Sequence, residues 1–411
     1  MGGEWGARRV RTGLLVAVVV ATYVGLGIGR WPGVGLNRPT IAWVGVAGVV
    51  ALGGMTVPGA WQAVDGRTMV FLLSMMLVNG ALTEAGVFGW LLQGLVRHSR
   101  HPLGLLLVVT GGTGVLSAFL LNDTLALVAT PLLLRVTQAL GVNPVPYLLA
   151  LAGATNVGSV ATLGGNPQNI LVGALSGIGY GVFAQVMAPV AAVGLLLVVG
   201  WVWLLYPEVR SRRRFPAVTL AWTAPHRGLG FHLVVTGGLL LGFAAGVPLA
   251  EAALVGAAVL LCRHGRHPEA LLAQVDWGLL VLFGGLFILT QTTRNLGILQ
   301  PLADLATHPW ELLGVTTVLS NLISNVTTVL LLSAVIPPAD TQGWLLLAAG
   351  STLAGNLTLF GAVANLITVE AAGRAGYPVS FASHLRLGLP VTLSTLGVAY
   401  LWILAGGGVR S

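Results

Sequence analysis

Long apolar runs, separated by short polar intervals, extend along almost the whole chain. Runs of this length cross a bilayer as helices, because a helix satisfies its backbone hydrogen bonds internally. The pattern predicts an all-α integral membrane protein with ten transmembrane helices. The predicted spans are residues 12–28, 40–56, 68–92, 146–175, 182–205, 229–246, 250–263, 276–300, 344–371 and 386–405.

Two further apolar segments, residues 103–136 and 309–336, have polar residues at their centres. The first contains Asn122-Asp123-Thr124 and the second contains Ser324-Asn325-Val326-Thr327. Each segment has room for two short helices that meet at a polar tip, which is the form of a re-entrant hairpin. Two ordinary spans joined by a short turn are the alternative that the pattern leaves open.

Two of the predicted spans contain residues that interrupt helices. In 146–175 the interruption is Gly164-Gly165-Asn166-Pro167, where the glycines permit positive φ and the proline lacks an N–H donor. The equivalent span, 344–371, has Gly355-Asn356 and Gly361 without a proline. Unpaired backbone groups in hydrocarbon cost several kcal/mol each. Interrupted helices therefore predict an internal polar site and not a lipid-facing surface.

The two halves of the chain are related in sequence. VDGRTMVFLL from Val64 reappears as VDWGLLVLFG from Val275, and equivalent residues follow at gradually shorter spacings. The pairs are Asp65 and Asp276, 211 positions apart, Asn122 and Asn325, 203 apart, and Asn169 and Asn365, 196 apart. Shortening spacings are expected of a duplication followed by deletions.

The duplication predicts the domain organisation. Each half contains an odd number of crossings, so the second copy inserts upside down and forms an inverted repeat. The first repeat covers residues 1–205, with the hairpin 103–136 and the broken helix 146–175. An Arg-rich cytoplasmic linker, 206–228, leads to the second repeat, 229–411, with the hairpin 309–336 and the broken helix 344–371.

Composition and charge agree with a membrane protein. Hydrophobic residues make up 55% of the chain and charged residues 8%, although the net charge is +8. The basic residues are all arginines and lie between the apolar segments, Arg38 among them, as in cytoplasmic loops. This placement argues against a nucleic-acid partner and predicts a multi-pass protein of a bacterial or archaeal cytoplasmic membrane. The single cysteine, Cys262, excludes an internal disulfide.

The four interrupted elements can converge at mid-membrane. Helix N-termini attract anions there, whereas helix C-termini and unwound carbonyl groups attract cations. The candidate binding residues are nearly all neutral amides and hydroxyls. They are Asn122, Asp123, Thr124, Asn156, Ser159, Thr162, Gly165, Asn166, Asn169, Ser324, Asn325, Thr327, Asn356, Thr358 and Asn365.

Asp123 differs from these residues because it brings a carboxylate into the membrane. Such a group is expensive to bury and usually functional. We expect Asp123 to bind the coupling proton or sodium ion. A structural pair with Arg135 is the alternative.

Four motifs together resemble the ion-transporter superfamily, which includes arsenite permeases, NhaD-type sodium/proton antiporters and divalent-anion/sodium symporters. The motifs are NVGSVATLGGNPQN, FLLNDT, SNVTTVL and GNLTLFGAVANL, and they look most like those of the anion-permease group. The resemblance implies a scaffold domain, a transport domain with two hairpins, a homodimer and elevator-like alternating access. It also implies possible sodium sites near Asn122, Gly158, Asn325 and Asn356.

We therefore expect a secondary active transporter, not an enzyme, that moves a small anion or arsenite-like solute. A proton or sodium gradient would drive it by alternating access, with no other cofactor. A sodium/proton antiporter and a sodium-coupled di- or tricarboxylate symporter are the alternatives. The motif residues include no lysine or arginine, which argues against a strongly bound multivalent anion.

Overall fold

The computed structural model of the chain describes residues 2–29, 35–96, 99–215, 228–263 and 268–406. The regular elements in these ranges are all helices, which confirms the all-α class. The first half contains α1 (Gly2–Ile28), α2 (Arg38–Ala51), α3 (Val57–Ala63), α4 (Gly66–Glu84), α5 (Val87–Val96), α6 (Pro102–Phe119), α7 (Asn122–Leu140), α8 (Val145–Ser159), α9 (Pro167–Ser176) and α10 (Tyr180–Leu205). The second half contains α11 (Leu229–Ala244), α12 (Leu249–Arg263), α13 (Pro268–Leu272), α14 (Trp277–Asn295), α15 (Gln300–Asp304), α16 (Pro309–Ile323), α17 (Asn325–Ser333), α18 (Thr341–Leu353), α19 (Val363–Arg374) and α20 (Phe381–Leu404).

Five helices in the described ranges are long and apolar enough to cross a bilayer. They are α1 over Arg9–Ile28, α4, α6, α10 and α20. Other apolar helices are shorter: α2 has 14 residues and α11 has 16. The number of ten transmembrane helices therefore stays a prediction.

Three of the predicted spans contain turns, which divide two of them and shorten the third. The span 68–92 is divided between α4 and α5 at Gly86, with φ of 74°, and 276–300 is divided between α14 and α15 at Gly297, with φ of 67°. The span 40–56 ends early, at Ala51. A glycine in the left-handed region ends a helix without changing hydropathy.

The two segments predicted as hairpins differ in length. The helices α6 and α7 have 18 and 19 residues, about 27 Å or more at 1.5 Å per residue, and are longer than the short helices predicted. The chain breaks at Leu120 and Leu121, so Asn122 already starts α7. In the second segment, α16 and α17 have 15 and 9 residues and meet at Ser324, whose φ is 104°. Re-entry of either segment stays a prediction.

Equivalent residues of the two halves have equivalent structural roles. Asp65 accepts a hydrogen bond of 2.6 Å from the backbone N–H of Thr68 and caps α4. Asp276 accepts one of 2.9 Å from Leu279 and caps α14. Packing is reciprocal as well, since α2 contacts α14 whereas α12 contacts α4. This is the arrangement expected of two related halves.

The α10 and α20 helices pack against each other where the halves meet. The Trp201 indole N–H donates to the Ser394 hydroxyl at 3.2 Å, and that of Trp402 donates to the Val186 carbonyl at 2.9 Å. Each indole therefore joins one half to the other.

The Arg-rich linker is described only in part, because residues 216–227 lie outside the described ranges. Arg210 donates hydrogen bonds to the carbonyl oxygens of Trp203 and Leu204, at 2.8 and 2.5 Å. These groups lie at the C-terminal end of α10, where a positive charge is stabilising.

Candidate functional site

A cavity of about 380 Å³ lies where several helix N-termini meet. The N-terminal ends of α7, α9, α17, α19, α2 and α14 contribute residues to its wall. Exposed N–H groups and aligned peptide dipoles give such ends a partial positive charge. The wall consists of Asn37, Arg38, Pro39, Asn122, Asp123, Pro167, Gln168, Asp276, Gly278, Leu279, Leu282, Ser324, Asn325, Val326, Phe360, Gly361, Ala362, Val363 and Leu366.

Four of the predicted binding residues, Asn122, Asp123, Ser324 and Asn325, line this cavity. They belong to the tips of the two segments predicted as hairpins. The other predicted residues lie outside the cavity wall. They are Thr124, Asn156, Ser159, Thr162, Gly165, Asn166, Asn169, Thr327, Asn356, Thr358 and Asn365.

A buried network of asparagines lies directly behind the tips and joins the two halves. The Asn156 amide donates to Asn356 Oδ1 at 2.9 Å and to Asn365 Oδ1 at 3.1 Å. The Asn122 amide donates to Asn156 Oδ1 at 3.3 Å. These four side chains are at most 5% exposed. The network therefore fixes the first tip against the second interrupted helix.

Each helix interruption is held by one asparagine, and the two asparagines lie at equivalent positions of the two halves. The Asn169 amide donates to the carbonyl oxygens of Ser159 and Thr162, at 3.1 and 3.0 Å. In the second half, 196 positions further on, the Asn365 amide donates to the carbonyl oxygens of Gly355 and Thr358, at 2.7 and 3.1 Å. These bonds replace helical ones, so both asparagines are committed to structure.

Further polar residues of the first interruption also have protein partners. Asn166 caps α9 by accepting from the Asn169 N–H at 2.8 Å, and its amide donates to Ser159 Oγ at 2.9 Å. The Thr162 hydroxyl donates to the carbonyl oxygen of Ala118. The structure thus gives these residues a role in holding the break. Solute binding by them stays a prediction.

Two glycines of the motif allow close approach of the backbone. A Cβ at Gly158 would overlap the backbone of Gly114 in α6. A Cβ at Gly165 would lie 2.9 Å from the Ser117 carbonyl oxygen, and the Gly165 carbonyl accepts from the Asn122 N–H at 3.2 Å. These positions therefore dock α6 and the first tip onto the interrupted helix.

The second tip is stabilised locally. Ser324 caps α17 by accepting from the Thr327 N–H at 3.4 Å, and the two hydroxyls lie 2.9 Å apart. The Thr358 hydroxyl donates to Asn321 Oδ1 at 2.8 Å. Thr327 and Thr358 therefore support the tip and the break from outside the cavity wall.

Two equivalent amide oxygens belong to residues of the cavity wall and lack a partner. Asn122 Oδ1 and Asn325 Oδ1 are buried and have no hydrogen-bond partner in the structure. Amide oxygens accept hydrogen bonds and also bind hard cations such as sodium. Within the described residues, no group of three His, Cys, Asp or Glu side chains could hold a metal ion. The carboxylates of this wall are those of Asp123 and Asp276.

Asp123 is half-buried and lines the cavity. The alternative pairing with Arg135 is excluded by the shape of α7. This helix is continuous from Asn122 to Leu140, so twelve residues separate the two Cα atoms by about 18 Å along the axis.

Two charged residues of the wall were missed by the sequence reasoning. Arg38, expected in a cytoplasmic loop, is half-buried and donates to the Leu26 carbonyl at 3.2 Å. Asp276 was noticed only as a repeated residue. With Asp123 they give the wall two carboxylates and one guanidinium, a formal net charge of −1. The one feature of the sequence that could have indicated them is their position, because both residues lie at the start of a helix.

The chain is similar to known transporters along most of its length. Residues 18–349 match the citrate transporter family. Uncharacterized transporter Rv2684 of Mycobacterium tuberculosis is 29% identical, over 94% of this chain and 97% of that protein. The silicon efflux transporter LSI3 of Oryza sativa subsp. japonica is 28% identical over 87% of this chain and 90% of its own. The arsenical pump membrane protein of Escherichia coli is 24% identical over 94% of this chain and 95% of that protein.

The fold is also that of a solved transporter. The crystal structure of the Alcanivorax borkumensis YdaH transporter superposes with a TM-score of 0.60 and 17% identity, covering 96% of this chain and 98% of that one.

Proposed function

Because the chain belongs to the citrate transporter family, we propose that it is a secondary active transporter for a small anion or arsenite-like solute. A proton or sodium gradient drives the transport by alternating access. The observation that carries the proposal is the cavity at the junction of both halves, with two free amide oxygens and Asp123 in its wall. The membrane is the cytoplasmic membrane of a bacterium or archaeon.

The chemistry of the wall favours a small oxyacid with several O–H groups. Asn122 Oδ1, Asn325 Oδ1 and two carboxylates can accept hydrogen bonds, whereas Arg38 is the cationic side chain among the described wall residues. Arsenous and silicic acids are neutral near pH 7 and offer such donors. Two relatives are named for arsenical and silicon transport. A tricarboxylate would meet a wall of the same charge sign, so it fits less well.

The two halves act as inverted repeats, residues 1–205 and 229–411, joined by the linker 206–228. The matched asparagine bonds at the two interruptions and the matched caps of α4 and α14 support this organisation. In an inverted pair, the same cavity can face either side of the membrane by a tilt of one part against the other. From the family resemblance we also propose that the protein forms a homodimer.

Coupling takes place at Asp123 and the two free amide oxygens. A carboxylate can bind a proton or, with neutral oxygen ligands, a sodium ion. The same groups would serve a sodium/proton antiporter, which is the second candidate. The two candidates differ in whether an oxyacid is transported, because a sodium/proton antiporter exchanges the two cations without an oxyacid.

A flux assay in proteoliposomes tests the proposal. Arsenite uptake is measured with an inward proton gradient, with an inward sodium gradient and with neither. We expect accumulation above the outside concentration with at least one gradient. Sodium/proton exchange without arsenite uptake would establish the second candidate, and equilibration without accumulation would indicate a channel. Neither arsenite nor cation flux would reject transport of these solutes.

Asp123→Asn tests the coupling group. The amide keeps the size of the side chain and can still accept a hydrogen bond, so the variant should fold and insert normally. We expect gradient-driven uptake to fall at least about a hundredfold, as when a group needed in each cycle is removed. Asp304→Asn, an exposed carboxylate on α15, is the matched control. Equal uptake in the two variants would exclude Asp123 as the coupling group.

A further inference from the structure

A second cavity, of about 250 Å³, lies at the start of α4 and α12. Its wall includes two charged side chains, Arg67 of α4 and Glu251 of α12. The C-terminal end of α9 and the start of α10 also contribute to it, with Gly173 and Tyr180. Tyr180 is 8% exposed, and its hydroxyl has no hydrogen-bond partner in the structure. Such groups can exchange hydrogen bonds with the oxygen atoms of a hydrophilic solute.

The second cavity is the counterpart of the first, with the roles of the two halves exchanged. The α2 and α12 helices start 211 positions apart, and so do α4 and α14. Seven residues at the start of α2 and α14 line the first cavity, namely Asn37, Arg38, Pro39, Asp276, Gly278, Leu279 and Leu282. Their counterparts at the same spacing are Pro248, Leu249, Ala250, Asp65, Arg67, Thr68 and Phe71. Five of these seven counterparts, all except Asp65 and Thr68, line the second cavity.

Each cavity has a guanidinium group in its wall, although the duplication did not copy it. Arg38 lies on α2 in the first cavity, and its counterpart on α12 is Leu249. Arg67 lies on α4 in the second cavity, and its counterpart on α14 is Gly278. The two arginines thus occupy unrelated positions at equivalent places in the fold. Duplication alone does not explain this arrangement, whereas a shared need for a cationic donor that faces the solute does.

The two cavities differ in the position of the tips. The four predicted binding residues at the tips line the first cavity, whereas the described wall of the second contains none of them. The α9 helix connects the two cavities, because Gln168 lines the first and Gly173 lines the second. These two residues lie about 8 Å apart along the helix axis. A short displacement of the tips is therefore enough to bring them from one cavity to the other.

Resting on the transport function proposed above, we propose that the second cavity binds the same small oxyacid on the opposite side of the membrane. Equivalent helix ends of an inverted repeat lie on opposite sides, so the two cavities open in opposite directions. The tips lie at α2 and α14 in this structure and at α4 and α12 in the opposite-facing state. Arg67 then replaces Arg38 as the guanidinium that faces the solute. Arg67 is thus a specificity-determining residue for that side.

Cysteine accessibility tests the position of the second cavity. Cys262 is exposed and is first replaced by alanine. Leu279→Cys and Leu249→Cys then place a thiol in the first and in the second cavity, each at a half-buried leucine. A membrane-impermeant maleimide is applied to sealed vesicles of both orientations. We expect the two variants to be labelled from opposite sides. Labelling from the same side, or no labelling of Leu249→Cys, would overturn the proposal.

Charged thiol reagents test the role of Arg67. The rates of reaction with an anionic and with a cationic methanethiosulfonate are compared at each thiol. Arg67→Gln should lower the ratio of the anionic to the cationic rate about tenfold at Leu249→Cys and less than about twofold at Leu279→Cys. Arg38→Gln should have the reverse effect, so each cavity is the control for the other. An unchanged ratio at Leu249→Cys would show that Arg67 does not act on the second cavity.

A blocked second cavity tests whether the tips reach it. Modification of Leu249→Cys with N-ethylmaleimide should reduce the flux at least about tenfold, because each transport cycle passes through the opposite-facing state. Val70→Cys, on α4 but outside both cavity walls and 37% exposed, is the matched control. Equal flux after both modifications would contradict the movement of the tips.

The results distinguish this inference from the proposed function, because labelling requires no solute. Absence of arsenite uptake in the unmodified protein would reject the proposed solute, and the flux would then be measured as sodium/proton exchange. The sides of labelling and the rate ratios would still decide whether the two cavities open in opposite directions.

Discussion

Buried asparagine side chains replace the backbone hydrogen bonds that the interrupted helices lose. Asn169 and Asn365 each donate to two carbonyl oxygens across a break, and both side chains are fully buried. An intramolecular hydrogen bond contributes about 1 kcal/mol, and a buried carbonyl left without a donor costs about 1–3 kcal/mol. These amides thus make unwound backbone tolerable inside the membrane.

Asn365→Ala is expected to lower the free energy of unfolding by about 2–4 kcal/mol. The variant loses the donor to the buried Gly355 carbonyl, one of two donors to the Thr358 carbonyl and one of two acceptors of the Asn156 amide. The loss is measured by thermal or denaturant unfolding in detergent. Asn295→Ala, at the exposed end of α14, is the control and should change stability by less than about 0.5 kcal/mol. Similar losses in both variants would contradict the role given to Asn365.

Close packing of α8 on α6 sets the position of the first tip. Small residues let membrane helices approach closely, and Gly158 faces the Gly114 backbone. One bond reinforces this contact, since the Ser117 hydroxyl donates to the Thr155 carbonyl at 2.6 Å. Displacement of α6 would move the chain break that leads into Asn122.

Gly158→Ala and Gly153→Ala form a matched pair on one helix. A Cβ at Gly158 overlaps backbone, whereas one at Gly153 meets Val198 methyl groups at 3.6 Å, an ordinary contact. We expect the first change to destabilise the protein by about 1–3 kcal/mol through overpacking, and the second to be tolerated. Melting temperatures of both variants provide the measurement. The close contact would be disproved if Gly158→Ala were the more stable variant.

At the scale of the whole molecule, the cavity exists because elements distant in sequence meet. The tips and the interrupted helices contribute to its wall, and α2 and α14 add Arg38 and Asp276. A guanidinium beside two carboxylates makes the wall only weakly negative. We therefore expect residues outside the four motifs to influence which solute charge the cavity accepts.

Arg38→Gln is expected to discriminate between solute classes. Without the guanidinium the wall retains two carboxylates, so entry of an anion becomes less favourable than entry of a neutral acid. We expect uptake of an anionic probe such as citrate, where the protein shows any, to fall about tenfold, and uptake of neutral arsenous acid to change less than about twofold. Arg263→Gln, at the exposed end of α12, serves as the control. An equal fall for both probes would show that Arg38 acts on structure and not on charge selection.

The sequence by itself determined the helical class, the superfamily and the positions of the main interruptions. Long apolar runs require helices in a bilayer, and the break between Ser159 and Pro167 coincides with Gly164-Gly165-Asn166. Local chemistry decides such features, since a missing donor or a permissive φ acts within a few residues. The left-handed turns at Gly86 and Gly297 are equally local, because each depends on one glycine.

Only the tertiary structure decided which polar side-chain atoms of the cavity wall lack a hydrogen-bond partner. Asn122 and Asn325 keep a free oxygen at the cavity, whereas Asn169 and Asn365 use their amides on carbonyl groups of the breaks. All four are the same residue type in similar motifs. Their difference arises from neighbours far along the chain, because hydrogen bonding is satisfied in space and not in sequence.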